Sequence, residues 1–406
     1  MRDAMASIGL REMLRGARNG SGAPCGRLTR VSLSLPVDPP SARSLTGVVP
    51  QILASLEGRG EWFPPARSAI VLLVDGLGRA NLTARAGYAR FLTGRMTKKD
   101  AARTVFPSTT AVALASLLTG ETPGTHGLVG YRARIPGTDL APNQLKGWET
   151  DGLDPLTWQR SVPLLQREAE AGRPCFVVSQ PRYAGTGFTA ALQRGAEFVG
   201  AASIAERVER AADLALRHPG ALVYAYVPEL DTIAHARGWE SDEWAAALER
   251  VDGAARDLDA AIGSHAAAVL TADHGIVDVP RHRQVLLRDG DPLVENVTIV
   301  AGEPRMLHLY TEDGRADEVL ERWRDAESPR AWVMSRDEAV GAGLFGASPD
   351  PEVLPRIGDV LVAARSAVAY YDDREADKKP QNMIGQHGSL TDQERVVPLV
   401  RLGAFG

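Results

Sequence analysis

The chain has 406 residues, of which 44% are hydrophobic and 24% are charged, the proportions of an ordinary soluble globular protein. This length predicts one large α/β domain with an elaborated region, or two domains. The net charge of −5 provides no electrostatic attraction for nucleic acid or for an anionic membrane, and it argues against both as partners.

The N-terminal region and the cysteine content indicate in which cellular compartment the protein is expected. Residues 1–35 include a Gly/Ser/Arg-rich run and are expected to form a disordered tail before a folded domain at 36–406. The sequence contains neither an apolar run of the roughly 20 residues that span a bilayer nor the apolar core of a secretory signal. Cys25 and Cys175 are too few for a disulfide framework or a thiolate metal cluster, so we expect a reducing compartment, the cytoplasm.

Short apolar runs alternate with amphipathic segments, which is typical of a parallel sheet covered by helices. The fold class is therefore predicted to be α/β with a mostly parallel central sheet. The predicted strands are Ala69–Val74, Cys175–Ser179, Ala221–Val227, Ala266–Thr271, Met306–Tyr310 and Asp359–Ala363. The predicted helices are Ala80–Leu92, Thr110–Leu118, Val162–Ala171, Ile204–Arg217 and Asp242–Ile262.

Acidic residues follow three of the predicted strands. Asp75, Asp231 and Asp273 each come within a few residues of a strand's carboxyl end. In open α/β sheets, ligands bind in the crevice at these strand ends. We therefore expect the three carboxylates to converge on one crevice.

Imidazoles accompany these carboxylates. His235 follows Asp231 by four residues, so on a helix both side chains can reach one ion. Asp273 and His274 are adjacent, and glycines on both sides of His387 allow a close approach of the backbone. Taken singly, each feature has an ordinary alternative, namely a turn, a helix cap or a solvated helix face.

Together with Asp75, the set offers six nitrogen or oxygen ligands and no thiolate. Such a set suits two catalytic zinc ions, with manganese or another divalent ion as the alternative. The other histidines lack such neighbours and are expected to be surface residues or internally satisfied: His218, His265, His282 and His308.

A hydroxyl-rich segment, Phe106–Thr110, precedes a predicted helix of small and apolar residues. A Ser or Thr at a helix N-terminus commonly caps the helix. Alternatively it is a nucleophile, and the helix dipole and free N–H groups hold the phosphate that it attacks. The metal ligands favour the second interpretation, because metal coordination activates a hydroxyl that is a weak nucleophile at neutral pH.

Five motifs occur along the chain: Val74-Asp75-Gly76, Phe106–Thr110 with Thr119-Gly120, Asp231-x-x-x-His235, Thr271–Gly275 and Gly385–Gly388. In this order they resemble the alkaline phosphatase superfamily and, within it, the type I phosphodiesterase/nucleotide pyrophosphatase family. The resemblance covers Ala69 to Leu399. It implies a three-layer α/β/α sandwich with an inserted cap subdomain, which we place around residues 280–380.

The resemblance also implies how the ligands divide and which residue is the nucleophile. One metal is held by Asp75, Asp273, His274 and the nucleophile, and the other by Asp231, His235 and His387. Family members place the nucleophile nine residues before the Thr of the closing Thr-Gly, which indicates Thr110. Thr109 is the second choice, and Thr104 fits members whose nucleophile directly precedes Phe-Pro.

Two further positions are compared with the family. His126 lies in a short turn after the nucleophile helix, where a structural role is expected. Nucleotide pyrophosphatases usually carry an Asn five residues later that helps to bind the phosphoryl group, but this chain has Tyr131 there. The sequence therefore leaves open which side chain binds the phosphoryl oxygen.

The predicted function is a metal-dependent phosphodiesterase or nucleotide pyrophosphatase that acts through a phosphothreonine intermediate on a small phosphate ester or nucleotide. A phosphomonoesterase of the same superfamily is the main alternative, and a non-catalytic metal-binding relative is a weaker one. A sulfatase is disfavoured because neither cysteine lies in the nucleophile segment. The oligomeric state is not readable from the sequence.

Overall fold

The computed structural model describes residues 35–36, 38–39 and 41–406. The tail predicted at 1–35 lies outside the described residues except for Leu35. The described residues contain no helix that is both long enough and apolar enough to cross a membrane.

A seven-stranded sheet forms the centre of the fold. Its strand order is β2-β15-β6-β1-β5-β3-β4, and β6, β1, β5, β3 and β4 run parallel to one another, while β15 is antiparallel to both of its neighbours. The strands of this sheet are β1 (Ala69–Val74), β2 (Ala101–Arg103), β3 (Cys175–Ser179), β4 (Glu197–Gly200), β5 (Leu222–Val227), β6 (Ala267–Thr271) and β15 (Val396–Gly403).

Helices cover the two faces of this sheet, as the amphipathic segments predicted. The long helices α8 and α10 pack against each other and against β5 and β6, whereas α1 and α6 contact β1 and β3 and pack with α4. The helices are α1 (Val48–Leu56), α2 (Arg79–Ala84), α3 (Arg90–Arg95), α4 (Thr110–Thr119), α5 (Pro123–His126), α6 (Leu164–Glu170), α7 (Gly187–Leu192), α8 (Ile204–Arg217), α9 (Glu229–Arg237), α10 (Asp242–Ile262), α11 (Ala316–Glu327), α12 (Arg336–Gly341) and α13 (Asp392–Arg395).

A second, four-stranded antiparallel sheet has the order β11-β12-β10-β9. It has its own hydrophobic core, in which Trp323 of α11 packs with strand residues such as Leu309 and Val362. This sheet and core form the cap of the sandwich. The remaining strands are β7 (Val277–Asp278), β8 (Gln284–Leu287), β9 (Val297–Glu303), β10 (Met306–Thr311), β11 (Ala331–Ser335), β12 (Val360–Ala364), β13 (Ala369–Asp372) and β14 (Gly385–Gln386).

Most predicted elements are confirmed, since the bounds of β1, β3, α8 and α10 agree with the prediction and other ends differ by one or two residues. The predicted continuous helix Ala80–Leu92 is wrong. Helix α2 ends at Ala84, and a separate helix, α3, begins at Arg90. The residue before it, Ala89, has φ −137° and ψ 55°, which are not helical values. The Asp252 carboxylate of α10 accepts the free N–H groups of Phe91 and Leu92, so a tertiary contact caps a second helix there.

Candidate active site

The three predicted carboxylates lie at one edge of the central sheet. Asp75 directly follows β1, Asp273 lies two residues beyond β6, and Asp231 is in the first turn of α9 after β5. Strands β6, β1 and β5 are parallel neighbours, so their carboxyl ends open onto the same crevice. The expected convergence is thus observed.

The first group surrounds the Nε2 atom of His274. This atom lies 3.4 Å from Asp75 Oδ1, 3.4 Å from Asp273 Oδ2 and 3.1 Å from Thr110 Oγ1. The other oxygen of Asp273 accepts hydrogen bonds from the backbone N–H groups of Gly76 and His274. One side of this carboxylate is therefore fixed by the backbone, while the other faces the site.

The second group consists of Asp231, His235 and His387. His235 Nε2 lies 3.2 Å from Asp231 Oδ2, one helical turn away on α9, and His387 Nε2 lies 3.9 Å from Asp231 Oδ1. One ligand atom from each residue can be chosen so that all three atoms lie within 4.8 Å of one another. The same holds for Asp75, Asp231 and His274. Asp231 therefore links the two predicted ligand sets.

All three histidines present the same nitrogen to the site. Their Nδ1 atoms lie 2.8 Å from Gly385 O for His235, 3.2 Å from Gly275 O for His274, and 3.0 Å from Ser108 O for His387. A carbonyl oxygen only accepts, so each Nδ1 carries a proton and each Nε2 faces the site, where it could bind a cation. Backbone support of this kind orients histidine ligands in metal sites.

The buried carboxylates are incompletely satisfied by the protein. Asp75 Oδ1, Asp231 Oδ1 and Asp273 Oδ2 have no hydrogen-bond partner among the described residues, although all three atoms are buried. Unpaired buried carboxylate oxygens are costly unless a cation compensates them. The donor set, three carboxylates and three free imidazole nitrogens, therefore fits divalent metal ions.

The pKa values of the site residues also reflect their burial close to other ionisable groups. Burial, together with the nearby Asp273 and Asp231, raises the pKa of Asp75 well above its usual range. Burial and the adjacent His274 ring lower the pKa of His387 well below its usual range, which keeps this imidazole neutral. The two rings stack with centroids 3.6 Å apart. The neutral His387 ring can therefore act as a metal ligand beside His274.

The predicted nucleophile lies at the first residue of α4. Thr109 is the N-cap, but its hydroxyl makes no capping bond, and Thr110 follows as the first helical residue. Every residue of α4 is buried, so the free backbone N–H groups of its first turn have few partners other than groups within the crevice. Of the three threonines considered, Thr110 is the one whose hydroxyl contacts a predicted ligand in the described structure.

Two residues that the sequence did not reveal also belong to the site. The Tyr226 hydroxyl on β5 donates a hydrogen bond to Asp75 Oδ2, and Glu303 Oε2 at the end of β9 lies 3.4 Å from His387 Nδ1. Burial raises the pKa of Glu303 well above its usual range. Neither residue carries a motif, although the alternation of Tyr224 and Tyr226 on a strand that leads to Asp231 is a weak signal.

The remaining histidines have other surroundings. His126 is buried, with Nε2 2.9 Å from Ser116 Oγ and Nδ1 accepting from the Leu128 N–H group at 3.2 Å, so both of its ring nitrogens have partners outside the site. His308 is also buried, and its Nδ1 accepts from the Gly358 N–H group. The ring of His218 packs against Phe176. His218 is exposed, as are His265 and His282.

The sequence profile of the type I phosphodiesterase/nucleotide pyrophosphatase family matches residues 69–390. The chain belongs to this family. It is therefore a phosphodiesterase/pyrophosphatase-type hydrolase of the alkaline phosphatase superfamily, as the ordered motifs predicted. No curated protein sequence matches the chain.

Solved structures share the fold of this family member. Murine ectonucleotide pyrophosphatase/phosphodiesterase 5 has a TM-score of 0.65 at 16% identity, over 83% of this chain and 88% of the murine one. An inactive variant of the murine protein in complex with AMP has a TM-score of 0.64 at 16% identity, with the same coverage. Phosphonoacetate hydrolase from Sinorhizobium meliloti 1021, in complex with phosphonoformate, has a TM-score of 0.63 at 21% identity over 84% of this chain and 91% of its own.

Proposed function

We propose that this protein is a metal-dependent phosphodiesterase or nucleotide pyrophosphatase with Thr110 as its nucleophile. The observation that carries the proposal is the position of Thr110 Oγ1, 3.1 Å from His274 Nε2 at the N-terminus of a buried helix. The same nitrogen lies 3.4 Å from two carboxylates that each have a buried unpaired oxygen. A hydroxyl in this position shares its surroundings with a prospective cation.

Two ligand sets would hold the metals. Asp75, Thr110, Asp273 and His274 would hold one ion, and the other would be held by Asp231, His235 and His387. Bound ions supply Lewis acidity that lowers the pKa of a coordinated hydroxyl or water and neutralises negative charge on a phosphoryl group. Zinc suits the imidazole and carboxylate donors best, and manganese is the alternative.

The chain's own groups then bind and orient the ester. The Thr110 oxygen attacks phosphorus in line with the leaving oxygen, forming a phosphothreonine and releasing an alcohol or a phosphate. The free N–H groups in the first turn of α4 are placed to receive phosphoryl oxygens. Water then attacks the same phosphorus, the bond between Thr110 Oγ1 and phosphorus breaks, and the phosphate product leaves as the threonine hydroxyl regains its proton.

The substrate is proposed to be a small phosphodiester or a nucleotide with a pyrophosphate bond. The family assignment and the AMP complex of the murine neighbour's inactive variant support this class. Tyr131 stands where nucleotide pyrophosphatases usually have an Asn, so a preference for monoesters is a distinct outcome of the assay below. We also propose a cap at about 280–380 and a cytoplasmic location, the latter based on the cysteine content.

The test measures p-nitrophenol release from bis-p-nitrophenyl phosphate and from p-nitrophenyl phosphate. The protein is stripped of metal and then reconstituted with zinc or manganese. The proposal expects metal-dependent hydrolysis with the diester as the better substrate. Faster hydrolysis of the monoester would identify a phosphatase, and no metal-dependent hydrolysis of either ester would refute the proposed chemistry.

A further inference from the structure

In the described part of the chain, His387 is the one candidate ligand histidine with a carboxyl group beside its Nδ1 atom. Glu303 Oε2 lies 3.4 Å from this nitrogen. The Nδ1 atoms of His235 and His274 have a backbone carbonyl within hydrogen-bonding distance, at 2.8 and 3.2 Å, but no carboxyl group of the described residues beside them. His387 is therefore supported differently from the other two.

Glu303 reaches His387 from the cap. It is the last residue of β9 in the four-stranded sheet, and its side chain is only about 5% exposed. The backbone at Gly388 allows this approach, because a Cβ atom there would lie 2.6 Å from Glu303 Cδ. Gly388 also has φ +124°, which side-chain-bearing residues rarely adopt. The Gly388 position thus combines an unusual backbone with room for the carboxyl group.

The nucleophile segment provides the second neighbour of the same nitrogen. Ser108 O lies 3.0 Å from His387 Nδ1, and the Ser108 N–H group donates to Gly388 O at 3.0 Å. The Ser108 hydroxyl donates to Ser389 O at 2.7 Å. One N–H group of His387 therefore lies between an acceptor of the nucleophile segment and an acceptor of the cap.

We infer that Glu303 is a positioning residue that orients His387 for metal binding. Ser108 O accepts the Nδ1–H, and the Glu303 carboxyl packed beside the same nitrogen restricts the ring and leaves Nε2 toward Asp231. The role does not depend on ionisation of Glu303, since both forms of a carboxyl group have an acceptor oxygen. The cap thereby contributes a side chain to the metal centre. This inference rests on the proposed two-metal function.

The experiment compares the full-length wild type with Glu303→Ala, Glu303→Gln and a matched control, Glu327→Ala. Glu327 is likewise buried in the cap, but it pairs with Tyr370 and Arg330, away from the candidate ligands. Zinc affinity is measured by competition with a chromogenic chelator, and the Tm of each metal-free protein is recorded. Turnover is then followed against zinc concentration.

We expect E303A to weaken binding of the zinc held by Asp231, His235 and His387 by about 10–100-fold, with turnover restored by excess zinc. E303Q should be intermediate, because its amide oxygen still accepts a hydrogen bond. E327A should lower the Tm without changing zinc affinity. If E303A does not fold, the zinc affinities of E303Q and Glu303→Asp test the inference instead, since the shorter Asp side chain moves the acceptor oxygen away from His387 Nδ1.

Zinc affinities equal to wild type in all folded Glu303 variants would overturn the inference and leave Glu303 as a packing residue. Equal weakening of zinc binding by E303A and E327A would overturn it as well, because the loss would then reflect a general disturbance of the cap. A wild-type protein that binds neither zinc nor manganese tightly would instead overturn the proposed function itself, so the two failures are distinguishable.

Discussion

Thr110 Oγ1 lies 3.1 Å from His274 Nε2, and this contact joins the first turn of α4 to the loop after β6. The two residues are 164 positions apart in the chain. Their proximity puts a hydroxyl at the same place as a free imidazole nitrogen and the carboxylates of Asp75 and Asp273. A nucleophile and its activating cation would therefore share this location.

Replacement of Thr110 by Ala should lower turnover by about 10³-fold or more, because no other serine or threonine hydroxyl contacts a predicted ligand side chain in the described structure. The variant should still bind close to two metal ions per chain. Thr109→Ala is the comparison and should lose far less activity than Thr110→Ala, since the Thr109 hydroxyl makes no capping bond and lies beside Glu303, not beside a predicted metal ligand. Mass spectrometry of acid-quenched wild type should detect phosphate on Thr110. Full activity in the Thr110 variant would place the nucleophile elsewhere.

Asp231→Asn should disturb both metals, because Asp231 can be grouped with His235 and His387 and also with Asp75 and His274. We expect the metal content to fall below one ion per chain and turnover to fall more than about 100-fold, beyond the effect typical of groups behind a ligand. His235→Asn should release only one ion. Elemental analysis after gel filtration checks both variants, and equal losses in the two would contradict the linking position of Asp231.

Tyr226→Phe should reduce turnover by about 10–100-fold at limiting metal, because the Tyr226 hydroxyl donates to the Asp75 oxygen that faces away from His274. Tyr224→Phe is the matched control on the same strand. The Tyr224 hydroxyl is buried and has no hydrogen-bond partner among the described residues, so its removal should change activity little. Metal titrations of turnover separate the two variants, and identical curves would exclude a role for Tyr226 at Asp75.

The stability of the metal-free protein should depend on pH through Asp75. Burial, with the nearby Asp273 and Asp231, raises the folded-state pKa of Asp75. A raised carboxyl pKa favours folding below the unfolded pKa of about 3.9, and this contribution is lost as the pH rises through the folded pKa. Asp75→Asn should therefore raise the metal-free Tm more at pH 8 than at pH 5. With zinc added, the wild type should have the higher Tm of the two proteins, since Asn is a poorer ligand than Asp. A Tm difference independent of pH would contradict this.

The cap is joined to the central sandwich by a buried ion pair. Arg305, in the turn between β9 and β10, donates to both oxygens of Glu394 in α13 at 2.7 and 2.8 Å, and neither side chain is exposed. Arg305→Ala should cost about 3–5 kcal/mol in the free energy of unfolding, because it leaves a buried charge unpaired. The exposed pair Arg315–Glu318 is the comparison, and Glu318→Gln should change stability by less than about 1 kcal/mol. Urea unfolding of the metal-free proteins measures both, and equal changes would contradict the prediction.

The sequence alone determined the elements that depend on local patterns. Strands β1 and β6 are continuous apolar runs because both of their faces are buried, and their bounds follow from that burial. From the rule that ligands bind at strand ends, Asp75 and Asp273 were expected in one crevice, and the structure places both side chains there. The four-residue spacing of Asp231 and His235 likewise predicts one helical face, and α9 provides it.

Only the tertiary structure decided how distant segments support these residues. Tyr226 and Glu303 carry no motif, since their roles depend on contacts with Asp75 and His387, which lie 151 and 84 positions away. The break after Ala84 has the same cause, because a carboxylate from α10 caps the following helix. The nitrogen that each histidine presents is set by a carbonyl positioned by the folded chain. Local periodicity encodes which face a side chain occupies, but hydrogen bonds across long sequence separations form only when the whole fold brings their partners together.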